Sequence, residues 1–306
     1  MGDDDRRPCD SVSASGSRLV VISPCRDEAA HVEKTLRSVI AQTRRPDRWI
    51  IVDDGSHDET AAIVGEYAAD HPWIEPLRIE RGGHRQLGPG VVAAFSAGLR
   101  HIGADPYDIM AKLDCDLEFD ADCFAAILAH FRDRRVGMAS GTTVLVDKGR
   151  PVPERHAPFH VPGQAKFYRR TCFKQIGGLR PLYGWDILDE TDARRYGWVT
   201  LSDPRIIMRH HRLQGAALGV LRGRVIWGRG AYAIGSHPLF ALARGCYRMA
   251  ERPWVIGGMA FLWGFFGGYF DKQLSTNDDP ESRRHLRREQ LHRLLHRNRL
   301  PEKAVT

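Results

Sequence analysis

The sequence predicts an α/β domain whose central sheet is mainly parallel and flanked by helices, and three observations carry this. Leu19-Val20-Val21-Ile22, Trp49-Ile50-Ile51-Val52 and Ile109-Met110-Ala111 are short apolar runs without a polar face, as buried parallel strands are. Helix-period segments alternate with them, which is the signature of βαβ units. Each run also ends in polar, mostly acidic residues: Ser23-Pro24-Cys25-Arg26-Asp27-Glu28, then Asp53-Asp54-Gly55-Ser56, then Asp114-Cys115-Asp116. In open α/β sheets ligands gather outside the carboxyl ends of the strands.

The elements follow in order. Met1–Ser17 is polar and rich in small residues, so it is expected to be disordered, and it lacks the apolar stretch of a secretory signal. After the first strand, Val32, Leu36, Val39 and Ile40 recur at helical spacing. After the second, Asp58 or Ser56 can cap a helix running through Ile63, Val64 and Tyr67. Pro76–Ile79 reads as a third strand, and Gly82–Gly90 as a basic, glycine-rich loop. That loop fits neither G-x-G-x-x-G after a first strand nor G-x-x-x-x-G-K-[ST], so neither a dinucleotide fold nor a P-loop is supported. The small-residue helix behind it, Val91–Arg100, is expected to pack closely on the sheet. Phe124, Ile127, Leu128 and Phe131 mark a helix, Val136–Val146 a strand, and Asp147–Pro162 a long loop. A helix-like Cys172–Ile176 ends at Gly177-Gly178, and the acidic stretch from Trp185 precedes a short helix to Tyr196.

The six cysteines form no C-x-x-C pair, which suits free thiols in a reducing cytosol. Of the net charge of +7, residues 281–300 supply +5 through seven Arg against two Glu, so the basic excess describes a tail. Asp114 and Asp116, one residue apart at a strand end, can share one hard divalent cation whose other ligands are waters and phosphate oxygens. The alternative is that the pair merely caps the next helix.

Taken in order, the Ser23 strand end, Val52-Asp53-Asp54-Gly55-Ser56, Asp114-Cys115-Asp116, Arg169-Arg170 leading to Gly177-Gly178-Leu179, and an acidic cluster before Gly197-Trp198 resemble the family-2 glycosyltransferases, inverting enzymes of the GT-A fold. The resemblance runs from about Arg18 to His211. It implies a nucleotide-sugar donor, probed most naturally as a UDP-sugar, a Mg2+ or Mn2+ cofactor, and one carboxylate as base. Carried over by position, Asp54 contacts the nucleotide base, with Ser23 and Pro24 lining the same pocket, while Asp53 either contacts the donor or supports the turn at Gly55 and Ser56. Asp116 is the direct metal ligand, Asp114 contacts the ribose or a metal-bound water, and Lys112 either reaches phosphate or is a solvated strand-end lysine. Arg85, Arg169 or Arg170 could add contacts to phosphate. The family's Glu-Asp pair reads Trp185-Asp186 here, so Asp186 aligns with the base and Asp189 is the alternative. Glu190 and Asp192 read as first-turn helix charges. His211 is a candidate for the metal or diphosphate side, ahead of His210. Arg212-Leu213-Gln214-Gly215 stands where processive members carry Gln-x-x-Arg-Trp, which argues against a processive synthase.

Two other classes compete. A sugar-nucleotide pyrophosphorylase would need a glycine-rich loop after the first strand, and Ser23-Pro24-Cys25-Arg26 has no glycine. A non-catalytic scaffold of a membrane assembly would be consistent with Trp185 but not with the intact acidic residues. The expected acceptor is a saccharide or lipid-linked hydroxyl, in exopolysaccharide or envelope glycan synthesis.

The organisation expected is a tail over 1–17, a catalytic domain over 18–212, an apolar, helical, membrane-associating region over 213–280 and a basic tail over 281–306. Pro253–Phe270 is uncharged for eighteen residues but holds five glycines. A spanning helix needs about 20 apolar residues, with a lower limit near 17. Trp254, Trp263 and Tyr269 suit the membrane interface. Peripheral attachment to the inner face of the cell membrane is therefore expected over a full span, with the catalytic domain cytoplasmic. A core helix or dimer face with a solvated tail is the competing reading. No recognition motif accompanies the tail, so nucleic acid is not an expected partner.

Overall fold

The computed structural model describes residues 16–80, 88–147, 150–153, 157–211, 219–296 and 298–301. Four parallel strands open the sheet: β1 (Leu19–Cys25), β2 (Arg48–Asp53), β3 (Ile74–Arg78) and β4 (Ile109–Leu113) lie in the order β3-β2-β1-β4. Their residues are apolar on both faces because both faces are covered. Leu19, Val21 and Cys25 point to one core with α1 (Val32–Ile40) and α2 (Thr60–Asp70), and Val20 and Ile22 to a second core with α3 (Pro89–Ile102). The close packing expected of α3 is present at Gly98, where a Cβ would stand 2.6 Å from Ile22 and 3.0 Å from Val52.

Beyond β4 the sheet becomes antiparallel. β8 (Ala165–Arg169) runs against β4, β6 (Val136–Asp147) against β8, and β5 (Leu117–Phe119) against β9 (Val199–His210), while β9 is parallel to β6. The stretch expected to be a loop after β6 contains β7 (Arg150–Pro153), which closes a hairpin on it. α4 (Cys123–His130) joins the first core and α5 (Arg170–Gln175) the second. α6 (Trp185–Arg195) starts at Trp185 itself, after Gly184 in the left-handed conformation, so the acidic cluster is inside the helix rather than ahead of it.

The C-terminal part is helical: α7 (Val220–Ala233), α8 (Pro238–Arg248), α9 (Trp254–Gly267) and α10 (Pro280–Leu295). Among the described residues no helix is long and apolar enough to cross a membrane. The 14 residues of α9 rise about 21 Å, short of a hydrocarbon layer of about 30 Å. Gly258 and Gly264 of α9 serve helix packing. A Cβ on Gly264 would lie 2.1 Å from the Val225 carbonyl oxygen of α7, and one on Gly258 would lie 2.4 Å from the Gly245 carbonyl oxygen of α8. The expected basic tail is instead an ordered brace. Asp279 caps α10 by accepting from the Glu281 and Ser282 amides, and the helix buries Leu286, Glu289 and Gln290. Glu289 meets Arg194 of α6 at 2.9 Å, and the Gln290 side-chain oxygen accepts from the His237 amide.

Candidate active site

The carboxyl ends of β1, β2 and β4 stand side by side, and the antiparallel register of β8 brings Gly163 and Gln164 to the same edge, with Leu113 opposite Ala165. Asp53 closes β2. Its carboxylate accepts from the Ser56 amide at 2.9 Å and meets Arg78 at 3.0 Å, so it holds the turn through Gly55, whose φ is +72°. Asp54 is buried, 3.9 Å from the guanidinium of Arg26. Ser23 does not line this edge. Strand alternation turns it into the first core, where its Oγ accepts from the Trp49 indole at 2.9 Å, away from the pocket expected of it. Pro24 is on the opposite, half-buried face.

Lys112 is no solvated lysine: it is 2% exposed, and its Nζ donates to the Asp114 carboxylate and, at 2.7 Å, to the Gly163 carbonyl. The Asp114 amide donates to the Gln164 carbonyl at 2.8 Å. Burial pushes the Asp114 carboxyl upward, and the Asp116 charge adds to this against the pull of Lys112. The Asp116 carboxylate is 3.4 Å from Nε2 of His210. His211, the expected histidine, turns the other way. Its amide donates to the Asp116 carbonyl, while its ring meets Glu118 at 2.9 Å. The reason is again strand alternation: His210 ends β9 opposite Leu117 and Leu145, so consecutive side chains face opposite sides.

Asp186 sits in the first turn of α6, half-buried, against Gly163, where a Cβ would lie 3.1 Å from the Asp186 Oδ2. Among the described residues none donates a hydrogen bond to the Asp186 carboxylate. Asp189, the alternative base, is committed inside: Lys166 Nζ meets it at 2.7 Å and the Tyr168 hydroxyl donates to it at 2.6 Å. Burial pushes its carboxyl up to about 6, against Lys166 and Tyr168, which hold it down. Trp185 packs between the two lysines, with Lys112 5.4 Å and Lys166 5.5 Å from its ring. Lys166 also donates to the backbone carbonyl of Asp186.

Glu190 and Asp192 are not first-turn charges; both are buried. Burial raises the Glu190 carboxyl, but His160 and Arg194 outweigh it and hold it at about 2. Asp192 pairs with Arg180 at 2.6 Å. Arg169 and Arg170 are at the far edge of the sheet, because β8 runs antiparallel to β4. Arg169 bonds the carbonyls of Phe131, Asp133 and Val136, and Arg170 covers the Tyr107 ring. They do not reach the acidic edge. Arg85 and Arg212–Gly215 lie outside the described residues.

No three His, Cys, Asp or Glu among the described residues gather tightly enough to enclose a metal ion. The donor set still fits a hard cation held on one side only. Two carboxylates suit Mg2+ or Mn2+, which usually keep waters and phosphate oxygens as the remaining ligands. Lys112 already neutralises Asp114, which leaves Asp116 as the stronger ligand candidate.

Several solved structures share this architecture. A mannosyltransferase from Pyrobaculum calidifontis, solved with GDP-Man and Mn2+, superposes with a TM-score of 0.56 over 87% of this chain and 77% of its own, at 18% identity. GalNAc-T7, solved with UDP, GalNAc and Mn2+, superposes with a TM-score of 0.55 over 94% of this chain and 59% of its own, at 15% identity. These define the fold as GT-A. The sequence pattern of glycosyl transferase family 2 matches residues 20–184, more than half of the chain, and the chain belongs to that family. It is a glycosyltransferase. Among curated relatives, the poly-beta-1,6-N-acetyl-D-glucosamine synthase of Staphylococcus epidermidis is 27% identical over 126 residues, 40% of this chain and 28% of the synthase. The Staphylococcus aureus (strain COL) synthase is 26% identical over 132 residues, 42% of this chain and 29% of the synthase. The matched stretch is thus under a third of the length of these relatives.

Proposed function

We propose that this glycosyltransferase is inverting and metal-dependent, moving a sugar from a UDP-sugar to a hydroxyl of a saccharide or lipid-linked acceptor in exopolysaccharide or envelope glycan synthesis. One observation carries the reading. The Asp186 carboxylate, unengaged among the described residues, abuts Gly163, whose carbonyl is bonded to Lys112, which in turn holds Asp114, two residues before Asp116, whose carboxylate is 3.4 Å from His210. A base and a diphosphate site are thereby joined through one lysine and one backbone turn.

In the transfer, Asp186 accepts the acceptor hydroxyl proton as that oxygen bonds to the anomeric carbon and the bond to the diphosphate oxygen breaks. Asp116, with Asp114 and His210 beside it, would hold the cation, which when bound offsets the charge developing on the leaving diphosphate. Lys112 fixes Asp114, and Asp54 at the β2 end faces the nucleotide base. The nucleotide, remote from the reacting carbon, supplies binding energy that orients the sugar. Asp189 belongs to the buried support of α6, which favours Asp186 as the base. The neighbours' complexes contain either a guanine or a uracil nucleotide, so the donor is the point to test. A screen of nucleotide-sugars for released UDP or GDP should show UDP release that depends on Mn2+ or Mg2+. Release from GDP-mannose alone would overturn the uracil assignment of Asp54, and equal turnover in chelator would overturn the metal.

A further inference from the structure

The face of α9 turned away from the body is apolar along its whole length. Val255, Ile256, Met259, Trp263, Phe266 and Phe270 are exposed by 55, 61, 57, 77, 41 and 86%, and they form one stripe at helical spacing. The opposite face is closed by backbone-to-backbone packing on α7 and α8, with Phe261 and Phe265 buried there. Soluble surfaces seldom leave so many large apolar side chains contiguous, so this stripe calls for an occupant.

We infer that α9 is a docking surface for an anionic phospholipid bilayer, lying in the plane of the interface with this stripe inserted. Three observations select lipid. The first is charge: between residues 219 and 273 seven Arg or Lys stand against Glu251 and Asp271, and exposed Arg252 and Lys272 bracket the stripe at its two ends. Anionic headgroups complement that field, whereas a second copy of the same face would repel it. The second is residue type: Trp254 and Tyr269, exposed by 59 and 53%, sit at the ends, where amphipathic rings meet headgroups. The third is shape: α9 is too short to span but long enough to lie flat, as interfacial helices do. This inference rests on no step of the transfer chemistry.

The docked helix is coupled mechanically to the site. α9 packs on α7, and Gly230 of α7 lies against Tyr183 and Gly184, the residues that start α6 and so place Asp186. Arg244 of α8 is half-buried and feels the Asp186 charge. A bilayer at α9 would therefore be linked through α7 to the start of α6, on the inner leaflet, where anionic lipid is concentrated.

The test is flotation of the full-length protein with vesicles of phosphatidylcholine, with and without phosphatidylglycerol. The protein should float with the phosphatidylglycerol vesicles, and high salt should weaken this. Met259→Glu with Trp263→Glu should weaken flotation by a factor on the order of a hundred, since two apolar anchors are replaced by charges that lipid repels. Phe270→Glu, beyond the end of α9, should act in the same direction without touching helix packing. UDP release with a soluble acceptor should stay at the wild-type rate in all variants, which separates docking from the transfer reading. Failure of the wild type to float, flotation indifferent to phosphatidylglycerol and salt, or a dimer that the double variant turns into monomer would each overturn the proposal.

Discussion

Glu190→Gln examines the internal support of α6, the helix that carries the proposed base. Glu190 is buried within α6, one turn beyond Asp186. It receives the Val161 amide at 2.8 Å, faces His160 at 3.1 Å and lies 3.6 Å from Arg194. Its carboxyl is held at about 2 against an ordinary 4.5. At about 1.4 kcal/mol per tenfold in acidity, that difference is about 3 kcal/mol of folding stability at neutral pH. Because the folded value is depressed, this stability is fully present above 4.5 and disappears as the pH falls from 4.5 toward 2. Gln keeps the size and the acceptor for Val161 but removes the charge, leaving Arg194 shared with Glu289 alone. Urea unfolding of wild type and variant should therefore differ by about 3 kcal/mol at neutral pH, with the gap closing through that acid window. A gap under about 1 kcal/mol, as for exposed pairs, or one that does not change with pH would refute the account of Glu190 as a charged anchor.

Two further substitutions address the site. Asp186→Asn should lower turnover by a factor of about 100 to 10,000 while UDP still binds by calorimetry, as expected for a base acting in the transition state; Asp189→Asn should act mainly on stability. If Asp189→Asn abolishes turnover in folded protein while Asp186→Asn does not, the base assignment moves by three residues. His210→Ala should weaken Mn2+-dependent UDP binding, measured by titration with and without metal, and His211→Ala should leave it near wild type; the reverse ranking would place the diphosphate on the other side of β9.

How much of this was legible in the sequence depends on whether a feature is local. The buried strands, their acidic ends and the pairing of Asp114 with Asp116 are local, because a two-faced apolar run and the residues just after it need no knowledge of their neighbours. The turn at Asp53 was one of two readings that Gly55 and Ser56 allowed, and its carboxylate does accept from the Ser56 amide. What failed was orientation. Ser23 and Cys25 share a face with Trp49, and only the register of β1 on β2 shows that Ser23 spends its hydroxyl on that indole. The same one-residue alternation exchanges His210 for His211. Arg169 and Arg170 follow a strand as readily as any phosphate ligand would, but β8 runs antiparallel, which sends them to the edge opposite the site. Glu190 and Asp192 read as first-turn charges because His160 and Arg180, which pair with them, lie outside α6, and the docking of α10 on α6, where Glu289 meets Arg194, has no sequence pattern.

Trp185 stands where the resemblance to family 2 implied an acidic residue, and charge balance gives a physical reason for an indole there. Lys112 and Lys166 are both buried beneath the site, and each already has one carboxylate, Asp114 and Asp189. An acidic residue at 185 would bring a third buried carboxylate to two cations. A buried carboxylate without its own partner is costly. An indole between the two ammonium groups offers each the negative face of its ring, at 5.4 and 5.5 Å, without adding a charge to desolvate. Lys166 gives a second donor to the backbone carbonyl of Asp186 rather than to its carboxylate. The indole at 185 thus leaves the Asp186 carboxylate without a hydrogen-bond donor among the described residues, which is what the base role proposed for it requires.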